Sequence, residues 1–439
     1  MIQIKLKNPD LFIANFNMKI LQMARWFFPH VGGATIRVYN IAKYLTEFGY
    51  EVHLLTHNPK SIEQCNLNEE APLYEKHPDG FYVYRLPYYD LPAGKNIFNW
   101  AASIPVMAKK AIEIINENDI DIILSHNPPY LVGTASLIAS RRTKKPMVIN
   151  VHDVWGAEHY GFVKYRIGDF LQKFCVNRTK NFVTASEGLK KIFSQELNVK
   201  QDNIFVAPNA INLEHFKIDN DKFDSVIKKY EKLGIKKGVD YIFFVGIMRK
   251  WAGINFLIES FAKIINENKN LRFNKDNLKL LLVGGGGDKP EFEKLASDLK
   301  ISDKVIFTDS VPYEDVPYLI SIATVTCAPF PSSRVTDNEK LMSPHKVLEY
   351  LAMGKPTVAS AVGGMENYIK DNETGILFEP DNLDELTEKI IYLLENPKIR
   401  NKISENAYKY IRSGGFEWKN SVKIVESILL KTVAESKNE

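Results

Sequence analysis

A chain of 439 residues, 45% apolar and 25% charged, has the composition of an ordinary soluble globular protein. It also exceeds the length at which one core usually stops growing, so two domains are predicted. The longest apolar runs fall well short of the ~20 residues a membrane span needs, and three cysteines at wide spacing (Cys65, Cys175, Cys327) form neither a disulfide framework nor a metal knuckle. The net charge of +4 is small, which leaves its distribution as the informative quantity.

Residues 1–17 read as an appendage. Asn8, Pro9, Asp10 and Asn15 interrupt any secretory apolar segment there, and with the cysteine usage this predicts a cytoplasmic protein. From Met18 short apolar runs alternate with amphipathic helical patterns: "KILQMAR", then "GATIRVYNIAKYLTEFG", "EVHLLT", "DIIL", "PMVINV", "NFVTAS" and "IFVAPN". Strands separated by helices predict parallel βαβ units and a doubly wound sheet over 18–216. A polar connector at 217–238 precedes a second such series over 239–400: "YIFFVG", "LKLLLVGGGG", "KVIFTDS", "TVTCAPF", "PTVASA" and "GILFEP". Residues 401–439 resume a helical pattern, expected to pack back toward the first domain. The fold expected is therefore α/β, with two Rossmann-like doubly wound domains facing across a cleft, and ligands beyond the carboxyl ends of the strands.

The basic excess is local. Residues 141–200 carry 12 Lys and Arg against 5 Asp and Glu, including "RRTKK" and "KYR". This is either a solvated face or a contact for an anionic membrane or lipid phosphate. No recognition module accompanies the charge, which argues against nucleic acid.

Two glycine-rich turns follow strands. "PHVGGATIRV" places Gly32 and Gly33 at the start of a helix, where unpaired amides suit a phosphate. The dinucleotide fingerprint G-x-G-x-x-G is absent there, which counts against a nicotinamide enzyme. "LLLVGGGGDKPEF" repeats the arrangement at Gly284. In "SPHKVLEYLAMGKPTVASAVGG" Lys346 and Glu349 stand three apart on one helical face. That is either a surface ion pair or a grip on two parts of one nucleotide, the lysine on phosphate and the carboxylate on ribose hydroxyls. Asp119 and Asp121 imitate a metal-binding D-x-D but lead into "IILS" as solvated strand-entry residues, so no metal is expected.

The succession "FFVG", "LLLVGGGG", "KVIFTDSVPYEDVPYLISIATVTCAPF" and the 343–380 block resembles the nucleotide-binding half of the retaining glycosyltransferases of family 4, which have the GT-B fold. "FFPHVGGA", "NVHDVWG" and "VAPNAINLEHF" extend the likeness through the first half. "SHNPP" with "HDVW" is similar to members that add sugars to lipid-linked carriers in surface polysaccharide synthesis. The resemblance implies that Lys346 contacts the donor diphosphate and Glu349 the ribose. It further implies that the backbone near Phe307 and Thr308 holds the base, that Gly33 approaches from the opposite lobe, and that His152 sits near the transferred sugar. His126 and Asp153 become acceptor-side candidates, and Gly363 and Gly364 a turn.

Three positions depart from the pattern. Leu341 stands where the family often has a glutamate, with Asp337 and Glu339 as nearby substitutes. Ile247 and Ala252 replace an arginine and a lysine, and Arg249 and Lys250 in "GIMRKWAG" are expected to supply that charge. The implied chemistry is retaining transfer from a nucleotide diphosphate sugar, without metal or cofactor and with lobe closure in turnover. The acceptor would be a glycan or a polyprenyl-diphosphate-linked saccharide at the inner membrane face. A nucleotide-sugar epimerase of the same fold, and a non-catalytic sugar-nucleotide or glycan-binding protein, remain alternatives on sequence alone.

Overall fold

The computed structural model describes residues 18–30, 32–57, 71–87, 97–126, 129–152, 161–267, 271–332 and 345–438; of 97–102, 129 and 161–165 it describes the backbone. The chain divides into two compact units, Met1–Pro208 with Trp418–Glu439, and Asn209–Glu417. The first contains β1 (Lys19–Met23), α1 (Gly33–Glu47), β2 (Glu51–His57), β3 (Tyr74–Lys76), β4 (Tyr82–Leu86), α2 (Ile97–Asn118) and β5 (Ile122–His126). It continues with α3 (Thr134–Thr143), β6 (Met147–Val151), α4 (Gly161–Val176), β7 (Asn181–Thr184), α5 (Glu187–Gln195) and β8 (Ile204–Val206).

The second unit contains α6 (Asn220–Lys229), β9 (Asp240–Val245), α7 (Ile254–Asn266), β10 (Leu278–Val283), α8 (Lys289–Asp298), β11 (Val305–Phe307) and α9 (Val316–Ser321). After these come β12 (Ala323–Ala328), α10 (His345–Ala352), β13 (Thr357–Ser360), β14 (Ile376–Phe378), α11 (Leu383–Glu395) and α12 (Pro397–Ser413). The last helix, α13 (Trp418–Ser436), returns to the first unit.

Both sheets are doubly wound. The first runs β3-β4-β2-β1-β5-β6-β7-β8, parallel except for the edge strand β3, and the second runs β11-β10-β9-β12-β13-β14, parallel throughout. Parallel strands are covered on both faces and so read as continuous apolar runs; every residue of β5 and β6 is buried. In the second unit alternation along the strands divides the core in two. Phe243, Val245, Leu281 and Val283 pack with Val347, Leu351 and Ile411, while Ile242, Phe244, Leu280 and Leu282 pack with Leu257, Phe261 and Ile390. Strand order reverses between β1 and β5 and again between β9 and β12, and these are the points at which crevices open beyond strand ends.

Three details differ from the sequence expectation. The first unit ends at Pro208, not Phe216, because Ile211, Leu213 and Phe216 pack into the core of the second. The returning tail starts at Trp418, not at 401, because Ile403, Ala407 and Ile411 on α12 are buried in the second unit. The antiparallel pair β3 and β4 was not expected at all; His77–Phe81 turns the chain between them, with Gly80 N donating to His77 O at 2.8 Å. Along α13, Trp418, Val422, Val425 and Leu429 are buried. Asn181 Nδ2 donates to Thr432 Oγ1 at 3.0 Å, Ser421 Oγ to Pro208 O at 2.6 Å and Tyr50 OH to Glu426 Oε1 at 2.8 Å.

Candidate active site

In the second unit the turns after β9, β10 and β11 touch in succession, and the turn after β9 meets Lys346 at the amino end of α10. Gly246 follows β9 at φ +147° and Gly284 follows β10 at φ +130°, a region in which side chains are strained. A Cβ on Gly284 would lie 2.1 Å from Gly246 O, and one on Gly246 would lie 2.9 Å from Lys346 Nζ. The glycines therefore let two strand ends touch and let the lysine cross them. Lys346 Nζ sits 3.7 Å from the centroid of the Phe244 ring and 5.0 Å from that of Phe330. The two buried rings hold the ammonium over the strand-order reversal by attraction to their faces. Beside it, Thr308 Oγ1 accepts from Gly284 N at 3.1 Å, tying β11 to β10. Phe307 is the last residue of β11.

Arg249 lies against Gly287, where a Cβ would come within 2.7 Å of Nη1, and pairs with Asp288 Oδ1 at 3.4 Å. Asp288 Oδ2 also accepts from Lys250 N at 2.8 Å. The Lys250 ammonium, by contrast, pairs with Glu291 on α8 at 2.7 Å, with both side chains largely exposed. Arg249, not Lys250, thus shares the glycine-rich turn. Gly363 and Gly364 follow β13 with φ +61° and +85°, forming the expected turn.

Glu349 is 7% exposed. Its Oε1 accepts from Tyr313 OH at 3.2 Å, and Tyr313 stacks on His215 with ring centroids 4.3 Å apart. Burial raises the carboxyl pKa to about 7, opposed by the Tyr313 hydrogen bond and the Lys346 charge. Burial also drives the Tyr313 hydroxyl well above its ordinary value, so it remains a donor. A carboxylate in this setting has unfilled acceptor capacity that suits a pair of hydroxyls.

In the first unit, α1 begins at Gly33 with no side-chain cap and no acidic residue in its first turn. Gly32 is extended at φ 175°, and a Cβ there would make only an ordinary 3.5 Å contact with His30, so the local fold does not demand glycine at that position. His126 ends β5 and His152 follows β6, with ring centroids 6.2 Å apart. The proton on His126 can be assigned by elimination. Arg37 only donates, and its Nε and Nη2 reach Asn150 Oδ1 at 3.3 and 3.0 Å. The Asn150 amide nitrogen therefore faces His126 Nδ1, at 3.5 Å, and His126 carries its proton on Nε2, given to Gln22 Oε1 at 3.0 Å. Burial first, and the Arg37 charge second, lower the His126 pKa to about 3. His126, expected on the acceptor side, is wholly buried and neutral, and it acts on a substrate only through what it packs against.

Two family descriptions match the chain: "Glycosyltransferase Family 4" over residues 31–215 and "Glycosyl transferases group 1" over 226–410. The chain belongs to the family 4 glycosyltransferases. Among relatives of this glycosyltransferase, the alpha-monoglucosyldiacylglycerol synthase of Acholeplasma laidlawii is 23% identical, over 89% of this chain and 92% of that protein. Among solved structures, the sucrose-phosphate synthase of Thermosynechococcus elongatus superposes with a TM-score of 0.75 at 18% identity, covering 95% of this chain and 100% of that one. Anabaena HepE in complex with UDP-glucose gives 0.68 at 18% identity, covering 94% and 99%. The two parallel α/β units of the family 4 enzyme are thus those of GT-B glycosyltransferases.

Within the second unit of this glycosyltransferase Lys346, Glu349, Gly284, Thr308 and Arg249 collect around the ends of β9, β10 and β11, while His126 and His152 lie together in the first. Asp153, Asp337, Glu339 and Leu341 fall outside the described residues. Sequence reasoning missed Gly246, Phe244 and Phe330 around the lysine, Tyr313 and His215 behind the glutamate, and Arg37, Asn150 and Gln22 behind His126. The glycine ending "YIFFVG" was a readable signal for the first of these; the others are contacts made only by the fold.

Proposed function

We propose that this glycosyltransferase moves a sugar from a nucleotide diphosphate sugar to a glycan or polyprenyl-diphosphate-linked acceptor, with retention of anomeric configuration and without metal or cofactor. The observation that carries the reading is the Lys346 ammonium held across Gly246, one helical turn from the buried carboxylate of Glu349. One cation for the diphosphate and one carboxylate for the ribose then sit at the reversal point of a parallel sheet. Lys346 supplies the first positive charge to the diphosphate, and Ile247 and Ala252 supply none. Arg249 adds to it by exchanging Asp288 for phosphate.

When the bond from the anomeric carbon to the diphosphate breaks, positive charge grows on the sugar and negative charge on the leaving group. Lys346 and Arg249 stabilise the latter. The acceptor oxygen bonds to the anomeric carbon on the face the diphosphate leaves, and the acceptor proton passes to a diphosphate oxygen. His152 remains our candidate for the transferred sugar, with the His126 ring 6.2 Å away in the same unit. The UDP-glucose complex of HepE supports a uridine donor, and the diacylglycerol relative supports a lipid-borne acceptor. We place the enzyme at the cytoplasmic face of a membrane, with the basic 141–200 stretch toward anionic lipid; no helix among the described residues is long and apolar enough to cross one.

The test is a panel of UDP-, GDP-, ADP- and dTDP-sugars with and without EDTA, read by product NMR. One donor is expected to give a product of unchanged anomeric configuration, insensitive to EDTA and lost in Lys346→Ala. An inverted product, or full turnover in Lys346→Ala, would overturn the mechanism; conversion of donor without acceptor would indicate an epimerase.

A further inference from the structure

Nine large apolar side chains are exposed among the described residues, and three of them, Ile167, Phe170 and Phe174, belong to α4. Their spacing of three and four places them on one helical stripe. Phe170 is 65% exposed, more than any other, and its ring stacks on that of Phe174 with centroids 6.3 Å apart. The glycosyl transfer described above makes no use of them. Phe170 in particular calls for an explanation, because a polar residue at so exposed a position would cost the fold little.

The charges around the stripe are mostly positive. Among the described side chains of α4 a single carboxylate, Asp169, stands against Arg166 and Lys173, and Lys173 Nζ already pairs with it at 2.9 Å. Just beyond the helix, the Arg178 guanidinium lies 4.0 Å over the Phe174 ring. The helix α3, which packs against α4, adds the exposed Ile138 and the exposed cations Arg141 and Arg142 in its last turn. Aromatic and aliphatic side chains flanked by arginine and lysine match the boundary of an anionic bilayer, where rings enter the acyl region and cations meet headgroup phosphates.

We infer that α4 is an interfacial membrane helix that inserts Ile167, Phe170 and Phe174 into anionic lipid, with Arg166, Lys173 and Arg178 on the headgroups. The inference rests on the lipid-borne acceptor of the proposed function. It adds that the apolar stripe supplies part of the attachment, so high salt weakens binding without abolishing it.

Sedimentation of the full chain with vesicles tests this without donor or acceptor, so its outcome is independent of whether transfer is observed. Vesicles of phosphatidylcholine alone and with phosphatidylglycerol are compared at low and high salt. The wild type is expected to prefer the anionic vesicles and to retain residual binding in high salt. Phe170→Ser should lower partitioning about tenfold, while Phe170→Trp should restore it. Thermal unfolding confirms that both variants fold. Equal binding by Phe170→Ser and wild type, no binding of the wild type to anionic vesicles, or complete loss in salt would each overturn the inference. So would a lipid-free oligomer, seen by sedimentation velocity, that Phe170→Ser dissociates, because the stripe would then be a protein interface.

Discussion

Replacing Glu349 by glutamine should make the protein more stable and less able to hold its donor. Burial raises the folded carboxyl from its ordinary 4.5 to about 7. A raised pKa means that the folded state prefers the protonated form. The stability this confers is complete below the unfolded value, is lost as pH rises toward 7, and leaves a constant cost above it. Glutamine keeps an oxygen for Tyr313 and carries no charge, so it imitates the protonated acid. The linkage integral gives a gain for Glu349→Gln of about 1 kcal/mol at pH 5 and about 3 kcal/mol at pH 8. In a unit of about 200 residues the latter raises Tm by about 6–12 °C. Donor binding moves the other way. Ribose hydroxyls donate to the ionised carboxylate, so wild-type affinity should weaken about tenfold from pH 8 to pH 6. The variant should bind weakly at both. Thermal unfolding and titration calorimetry at the two pH values measure this; an equal gain at pH 5 and pH 8, or a donor affinity in the variant that still follows pH, would refute the reasoning.

Gly246→Ala should cost about 1–3 kcal/mol of stability through its left-handed backbone, and its new methyl displaces the Lys346 ammonium, so kcat/KM should fall about tenfold or more when assayed by steady-state kinetics. Asn150→Asp keeps an acceptor for Arg37 but removes the donor to His126 Nδ1; nitrogen NMR should then show the His126 proton moved and its pKa raised from about 3, with turnover lowered while the melting point holds. Truncation after Glu417 removes the buried face of α13, so circular dichroism and proteolysis should show the first unit unfolded and the second intact.

Much of the architecture was legible because buried parallel strands are short apolar runs between amphipathic helices; all six described strands of the second unit appear this way. The hairpin of β3 and β4 was missed although Asp79-Gly80 is a turn signal, because its strands are three and five residues long and mostly polar or aromatic. The boundary at Pro208 was placed too late because Phe216 is apolar wherever it packs, and composition does not say against which core. In the site, Lys346 and Glu349 were readable because helical neighbours keep their spacing. What holds each of them was not. Tyr313 lies 36 residues from Glu349, and 113 residues separate Arg37 from Asn150. Such pairs are set by which strands lie side by side. The buried state of His126 followed from the same cause: a histidine at a strand end looks alike whether it faces solvent or the next strand.

The return of α13 sets a clock on synthesis. Asn209–Glu417 interrupts the first unit, so a ribosome adding about 5–20 residues per second spends about 10–40 s on these residues before the helix emerges. Throughout that interval the nascent first unit lacks Trp418, Val422, Val425 and Leu429, and the surface they cover is bare. The second unit, contiguous in sequence, completes itself meanwhile. The beginning of the chain therefore cannot complete its core until the middle has been synthesised.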